Sequence, residues 1–347
     1  MTVKVGVIGA GALGFHHTRI LRDVPGARLV GFHDANAERA AKVSAELDVE
    51  AFALDALLDQ VDAVTIAVPT PYHYKVAAPA LERGLHVMIE KPIATTLEEA
   101  DALLAIARRT GAVLQTGHVE RFNRAVRAAL AHVEHPRFIE SDRLAPFNAR
   151  GSDVAVVLDL MIHDIDLVRT FVGGRVSAVS AVGVPVLTPS VDIANARITF
   201  EAGAVANITA SRVSRDRTRK LRIFQPAGYL SLDLAAGTGE YYRLRRDVDF
   251  AALVANAQGA QAIESFVERI SLDAPEGEPL RLELEAFVKA VAGEAPIAVT
   301  GDDGREALAV ALTIVEDIKR SLPSLAGPGA SALASQASQA GQASGRA

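Results

Sequence analysis

Short apolar runs alternate with helical patterns over roughly the first third of the chain. The apolar runs predict strands at 3–8, 28–33, 50–53, 63–68, 86–89 and 113–116. Patterns of helical period between most of them predict helices at about 12–23, 36–46, 74–83 and 96–109. This alternation predicts crossover connections and a doubly wound parallel sheet. Ligands of such sheets bind in the loops after the carboxyl ends of the strands, so candidate chemistry is expected there.

The pattern changes after a predicted linking helix at about 121–133. Longer segments predict mainly antiparallel strands at 137–144, 176–186, 192–200, 203–212, 219–224 and 229–234. One face of this sheet is expected to carry the apolar residues Val205, Ile208, Leu221 and Ile223. We expect a second subunit to cover that face. The alternative is that two predicted helices, at 280–293 and 303–321, cover it.

A glycine-rich turn joins the first predicted strand to the first predicted helix. Its residues are Gly9, Ala10, Gly11, Ala12, Leu13 and Gly14. A G-x-G-x-x-G turn in this setting lets the backbone approach a pyrophosphate, and the helix N-terminus favours its charge. Asp34 ends the second strand, 25 residues beyond Gly9, close to the offset of a ribose-binding carboxylate. The alternative is a tight structural turn with a solvated aspartate.

These features predict an α/β protein with an N-terminal Rossmann domain and a C-terminal α/β domain. The second domain is expected to contain a large open, mainly antiparallel sheet. We place the NAD-binding domain at 1–120, a substrate and dimerisation domain at 121–322, and a disordered tail at 323–347. The tail is rich in Gly, Ala, Ser and Gln, and Arg346 is its one charge. NAD is favoured over NADP because Asp34 would repel a 2′-phosphate and no Lys or Arg follows before Arg39.

Composition narrows the possible partners. The chain has 347 residues, a net charge of −6 and no cysteine, which excludes disulfides, thiolate metal sites and a cysteine nucleophile. No basic character suggests a nucleic-acid partner, and no apolar stretch approaches the roughly 18 residues of a membrane span. The histidines lack an H-E-x-x-H helix, so no metal site is predicted. The chain starts without a signal-peptide pattern, and we expect it in the cytoplasm.

Two segments could carry chemistry. A helical pattern at 154–171 places Asp159, His163 and Asp166 on one stripe, where a carboxylate one turn before a histidine could orient the ring and raise its proton affinity. The alternative is an exposed polar face with a histidine in it by chance. The second segment is Glu90-Lys91-Pro92, which ends a predicted strand. Lys91 there could hold a substrate hydroxyl, the alternative being a surface lysine.

The order of these motifs resembles the Gfo/Idh/MocA oxidoreductases over about residues 1–322. The resemblance implies a nicotinamide domain, a substrate domain with an open sheet, dimers or tetramers, and oxidation of a sugar or cyclitol carbinol. It implies that Lys91 binds the substrate hydroxyl, that His163 is the acid/base and that Asp159 completes the trio. It adds Pro69, His73, Glu90 and Lys91 to the cofactor-binding residues of the glycine turn and Asp34. Met161 and Val68 depart from the family pattern, which often has Gly and Thr there.

A finer resemblance covers 117–123 and 158–166. These segments are similar to a bacterial subgroup that includes UDP-N-acetylglucosamine 3-dehydrogenases of lipid A sugar biosynthesis. The resemblance makes His118, Arg121 and Arg150 candidates for the substrate side of the cleft, a structural or surface role being the alternative for each. It predicts oxidation of the 3-hydroxyl of a UDP-N-acetyl-hexosamine by NAD. The alternatives are a cyclitol or free-sugar dehydrogenase and a non-catalytic NAD-binding sensor.

Overall fold

Two sheets organise the protein, in a computed structural model that describes residues 2–148, 154–226, 228–245 and 266–325. The first sheet has five parallel strands in the order β2-β1-β3-β4-β5. Its strands are β1 (Val3–Ile8), β2 (Ala27–His33), β3 (Ala63–Ile66), β4 (His86–Glu90) and β5 (Leu114–Gly117). This order is that of a doubly wound sheet and confirms the predicted N-terminal architecture.

Helices cover both faces of this sheet. They are α1 (Ala12–Leu21), α2 (Ala37–Leu47), α3 (Leu54–Leu58), α4 (His73–Glu82) and α5 (Leu97–Thr110). Local sequence sets several ends: the Asn36 and Thr96 side chains accept the backbone N–H groups of the third residues of α2 and α5. The strand predicted at 50–53 is wrong, since only Ala51 makes an isolated bridge to Phe32. A stretch this short cannot extend the sheet.

The second sheet has eight strands in the order β13-β12-β11-β10-β6-β9-β8-β7. They are β6 (Phe138–Leu144), β7 (Val176–Val184), β8 (Ile193–Phe200), β9 (Val205–Ser211), β10 (Thr218–Gln225), β11 (Gly228–Asp233), β12 (Thr238–Leu244) and β13 (Val267–Leu272). All neighbours pair antiparallel except β6 and β9. This confirms the large, mainly antiparallel sheet. The sequence patterns missed β12 and β13, which carry several charged and glycine residues.

Among the residues that the structure describes after β5, four segments are α-helical. They are α6 (Arg124–Ala129), α7 (Ile162–Val172), α8 (Pro279–Val291) and α9 (Gly301–Leu325). Helix α8 packs in the core of the first sheet, where Leu284 and Phe287 join Val5. Helix α9 bridges the two halves, because Leu308 lies in a core of the first sheet and Ile314 in that of the second. The cores of both halves therefore need the C-terminal helices.

One face of the second sheet is covered by helices of the same chain. Ile208, Leu221 and Ile223 are fully buried in a core with residues of α6, α7 and α9. The expectation that a second subunit covers these residues is therefore wrong, and the alternative of C-terminal helices is right for α9. Val205 lies on the opposite face, because it is an odd number of residues from Ile208 on one strand.

The C-terminal boundary also differs from the expectation. Helix α9 continues to Leu325, so residues 323–325 of the predicted tail are helical. The rest of that predicted tail, 326–347, lies outside the described residues. Within the described ranges, no helix is both long and apolar enough to span a membrane.

Candidate active site

The glycine turn lies between β1 and α1, and two of its glycines are required by packing. Gly9 has a φ of +93°, and a Cβ there would approach the Ala67 carbonyl oxygen to 2.8 Å. A Cβ on Gly14 would lie 1.7 Å from the Gly9 carbonyl oxygen. A Cβ on Gly11 would meet nothing nearer than the Arg39 guanidinium at 3.7 Å, so its missing side chain leaves open space.

The open space at Gly11 faces an uncapped helix end. Gly11 is the N-cap of α1 and has no side chain to accept the first N–H groups. Those groups and the helix dipole would favour a phosphate, and no side chain blocks its approach at Gly11. The turn therefore fits the pyrophosphate of a dinucleotide.

Asp34 follows β2, next to this turn. Its Oδ2 accepts the Ala10 N–H at 2.7 Å, and its Oδ1 accepts the Asn36 N–H at 2.8 Å. These bonds hold the carboxylate where the adenosine ribose of a dinucleotide would lie. Arg39 was expected to be too far along the chain to matter here. Helix α2 nevertheless brings its Nη1 within 3.9 Å of Asp34 Oδ2. The positive charge of Arg39 therefore offsets part of the charge that would repel a 2′-phosphate.

Lys91 and Asp159 meet in the cleft between the two halves. Lys91 follows β4 and donates from Nζ to the Asp159 carbonyl oxygen at 2.7 Å, with Asp159 Oδ1 at 3.8 Å. The two side chains are 17% and 34% exposed, so both remain accessible from the cleft. The first half of the chain thus contributes an ammonium group to the helix that carries His163.

His163 lies just beyond a π-helical turn that the sequence pattern missed. The turn spans Val157–Met161 and precedes α7. The turn departs from the regular α-helix that the sequence pattern predicted for this segment. His163 Nδ1 is buried and has no hydrogen-bond partner among the described residues, so the expected bond from Asp159 to the ring is absent there.

The electrostatics of His163 also differ from the expectation. Burial lowers the pKa of His163 well below its usual value, and the positive charges of Lys91 and Arg143 lower it further. The prediction that a carboxylate raises its proton affinity is therefore wrong, since Asp159 approaches Lys91 instead. The imidazole is neutral at neutral pH, which is the state in which it can accept a proton.

A buried ion-pair network fixes the residue that follows His163. The sequence patterns did not predict this network. Arg143 of β6 donates from Nε to Asp164 Oδ2 at 2.6 Å and from Nη1 to Glu120 Oε1 at 2.9 Å. Asp164, which follows His163 directly, also accepts the Ser141 hydroxyl at 2.9 Å. The contacts hold the start of α7 against the sheet. No local pattern could reveal them, because the partners are more than 20 residues apart.

Two of the three predicted substrate residues have structural contacts instead. Arg121 donates to both oxygens of Asp166, at 2.6 and 2.8 Å, and to Asp303 at 3.4 Å. His118 is fully buried, with its Nδ1 4.0 Å from Asp166 Oδ2, and burial lowers its pKa. Both therefore lie close to Asp166 on α7, and their proposed contact with a substrate stays a prediction. Arg150 lies outside the described residues.

The remaining predicted cofactor residues shape the loops. His73 is buried, and its ring nitrogens lie 2.8 Å from the Pro92 carbonyl oxygen and 2.9 Å from that of Val68. It therefore has no nitrogen left for a cofactor and ties the loop after β3 to the loop that carries Lys91. Pro69 begins a 3-10 turn at Thr70–Tyr72. Glu90 lies 3.1 Å from His17 Nε2, which joins the end of β4 to α1.

Glu283 is a buried carboxyl group that no sequence signal singled out. It lies on α8, and neither carboxyl oxygen has a hydrogen-bond partner among the described residues. Burial raises the pKa of Glu283 well above its usual value, and the nearby charges of Glu90 and Asp166 raise it further. Burial and the two neighbouring carboxylates therefore favour the protonated form of Glu283.

Comparisons with known proteins agree with this geometry. The model of the "oxidoreductase family, NAD-binding Rossmann fold" matches residues 3–118, and that of the "GFO/IDH/MocA C-terminal domain" matches residues 124–231. The chain belongs to the Gfo/Idh/MocA family of NAD-dependent oxidoreductases. The predicted family and cofactor, NAD, are confirmed.

Several individual proteins are similar to this chain. The chain is 39% identical over 316 residues to the UDP-N-acetylglucosamine 3-dehydrogenase of Acidithiobacillus ferrooxidans, covering 90% of this chain and 96% of that protein. A solved structure of that enzyme covers 92% of this chain and 99% of its own, with a TM-score of 0.83 and 38% identity. The scyllo-inositol 2-dehydrogenase (NAD(+)) of Bacillus subtilis is 31% identical over 61% of this chain and 68% of that protein. A levoglucosan dehydrogenase solved with NADH and levoglucosan shares the fold at 20% identity and a TM-score of 0.78, covering 92% of this chain and 98% of that one.

Proposed function

We propose that this protein oxidises the 3-hydroxyl of a UDP-N-acetylhexosamine, with NAD⁺ as the hydride acceptor. The observation that carries the dehydrogenase assignment is the contact of Lys91 with Asp159, four residues before His163, at the end of a sheet with a dinucleotide-type turn. The similarity to a UDP-N-acetylglucosamine 3-dehydrogenase, over 96% of that relative, supports the substrate. We place the reaction in the cytoplasm, which supplies NAD and nucleotide sugars.

The cofactor is proposed to bind along the first sheet. The N-terminal N–H groups of α1, at Ala12 and Leu13, would bind the pyrophosphate over Gly11. Asp34 would accept hydrogen bonds from the adenosine ribose. The bound nicotinamide supplies the acceptor for the hydride that leaves the carbinol carbon.

The chain's own residues handle the oxygen and its proton. Lys91 donates a hydrogen bond to the substrate hydroxyl and stabilises the negative charge that develops as the O–H bond breaks. His163 accepts that proton at Nε2, because its ring is neutral and its Nδ1 is buried. Asp159 holds the Lys91 ammonium through its backbone carbonyl rather than orienting the imidazole.

The test is a substrate screen with purified protein. We expect NADH formation with UDP-N-acetylglucosamine and much slower formation with N-acetylglucosamine or myo-inositol, followed as absorbance. NAD⁺ should be preferred to NADP⁺ because Asp34 is closer to the turn than Arg39. Turnover of inositols alone would favour the cyclitol alternative, which the Bacillus subtilis relative supports. NAD binding without turnover of any of these compounds would favour a sensor.

We also propose a homodimer or homotetramer built on the face of the second sheet opposite to the one that α6, α7 and α9 cover. Aromatic rings stack across four neighbouring strands of that face, from Phe138 through Phe224 and Tyr229 to Tyr242, with centroids 4.8 to 5.7 Å apart. The side chains are half-buried, and Arg269 lies over the Tyr242 ring. An aromatic strip of this kind is typical of protein interfaces.

Sedimentation tests the assembly. The wild-type protein is expected to sediment at two or four times the mass of one chain. Tyr229→Glu should shift it towards the monomer, because a charge would be buried without a partner in the interface. A wild-type protein that sediments as a monomer at micromolar concentration would refute the proposal.

A further inference from the structure

A basic segment beside the candidate active site has no role in the mechanism above. Residues 212–222 contain six Lys and Arg side chains in a chain of net negative charge. Within this segment Arg219 lies directly opposite Arg143 in the pairing of β10 with β6, so both side chains point to the same face of the sheet. Both guanidinium groups reach Glu120 Oε1, from Arg143 at 2.9 Å and from Arg219 at 3.3 Å.

Arg143 and Arg219 differ in their exposure and in the number of N–H donors that remain available to a ligand. The Arg143 side chain is 4% exposed and has Asp164 as a further partner. The Arg219 side chain is 38% exposed, and its bond to Glu120 is the one hydrogen bond it makes within the described ranges. A guanidinium group has five N–H donors, so most of those of Arg219 remain available. Arg217, two residues earlier, is exposed.

The charge of Arg219 is incompletely balanced. Burial and the positive charge of Arg143 lower the pKa of Arg219, and Glu120, which raises it, is shared with Arg143. Arg219 shares Glu120 with Arg143, and Arg143 also pairs with Asp164, which directly follows His163, so the Arg219 guanidinium belongs to the network beside the reacting group. An anion bound at Arg219 would therefore relieve an uncompensated charge beside the reacting group.

We propose that Arg219 binds the phosphate group on the anomeric oxygen of the sugar, with Arg217 adding charge at its outer side. The inference rests on the proposed function and specifies how the substrate is selected. In a pyranose only C2 separates the anomeric carbon from C3, so a 3-hydroxyl at Lys91 and His163 brings the phosphate on the anomeric oxygen within reach of a neighbouring side chain. Arginine suits this contact because its planar donors match two phosphate oxygens. Sugars without an anionic substituent are then poor substrates.

The experiment compares Arg219→Gln with a matched control, Arg243→Gln. Arg243 is also a partly exposed strand arginine with one glutamate partner, Glu268 at 2.9 Å. The pairing of β10, β11 and β12 places it at the opposite end of the sheet, about 20 Å along the strands from Arg219. Initial rates are measured with UDP-N-acetylglucosamine and N-acetylglucosamine, and UDP affinity by calorimetry on protein saturated with NAD⁺.

Arg219→Gln is expected to raise the KM for UDP-N-acetylglucosamine about 10- to 100-fold and weaken UDP binding in parallel. The kcat, and the rate with N-acetylglucosamine, should change little. Arg219→Lys keeps the charge but not the planar donors, so its KM and UDP affinity should change less. It replaces Arg219→Gln in the test if the Gln variant does not fold. Arg243→Gln should match the wild type.

Four results would contradict the phosphate site or separate it from the proposed function. Equal KM and UDP affinity in Arg219→Gln and Arg243→Gln would overturn the phosphate site. So would a fall in kcat alone, which would give Arg219 only an electrostatic effect on His163. If the wild type oxidises no UDP-N-acetylglucosamine but binds UDP through Arg219, the proposed substrate is wrong and the phosphate site stands; a wild type that does not bind UDP removes the site.

Discussion

Replacing His163 by alanine should lower kcat by about 10²- to 10⁴-fold, the usual contribution of a positioned general base. The affinity for NAD should stay nearly unchanged, because the glycine turn and Asp34 lie on the other half of the chain. Steady-state rates and a titration of NAD binding measure the two quantities. The matched control is His135→Asn, an exposed histidine with a φ of +51° that asparagine tolerates.

The pH profile separates catalysis from structure at His163. A protonated imidazole cannot accept the substrate proton, so kcat/KM of the wild type should fall on the acid side. Because burial and Lys91 lower the pKa of His163, this fall should lie well below pH 6.5. The alanine variant should lose that dependence on pH. A variant that keeps the wild-type rate would remove His163 from the mechanism.

Replacing Asp164 by alanine should reduce the free energy of unfolding by about 3–5 kcal/mol. The change leaves Arg143, whose side chain is 4% exposed, without its bidentate partner and leaves the Ser141 hydroxyl with only the Lys220 carbonyl oxygen at 3.5 Å as an acceptor. Arg143 then keeps Glu120 as its one carboxylate partner among the described residues and shares it with Arg219, so part of its buried charge is left uncompensated. Urea unfolding followed by circular dichroism gives the free energy directly.

An exposed ion pair between β6 and β10 provides the control for the Asp164 variant. Arg222 of β10 and Glu140 of β6 lie 2.6 Å apart, with side chains 50% and 34% exposed. Because water solvates both groups, Arg222→Gln should cost no more than about 1 kcal/mol. Similar losses in the Asp164 and Arg222 variants would contradict the stabilising role of the buried network.

The amino-acid sequence by itself determined much of the local structure and the geometry of the glycine turn. Apolar periodicity predicted all five strands of the first sheet, because each is a short buried run between helical patterns. The spacing of Gly9, Gly11 and Gly14 specified the turn, since packing forbids a side chain at two of these positions. The sequence also singled out Lys91 at the end of β4, and the structure brings its ammonium group to Asp159. These features depend on neighbours close along the chain or on the side-chain alternation of a strand.

Only the tertiary structure decided which charges surround the reacting groups and which face of the second sheet the described helices cover. Asp159 approaches Lys91, the buried Nδ1 of His163 has no hydrogen-bond partner among the described residues, and Arg121 pairs with Asp166. The pairing of β10 with β6 places Arg219 beside Arg143. Charge interactions act through space and depend on burial, whereas sequence periodicity records only which face of an element a residue occupies. The partners and surroundings of each charged group therefore appear only when the two sheets and their helices are packed together.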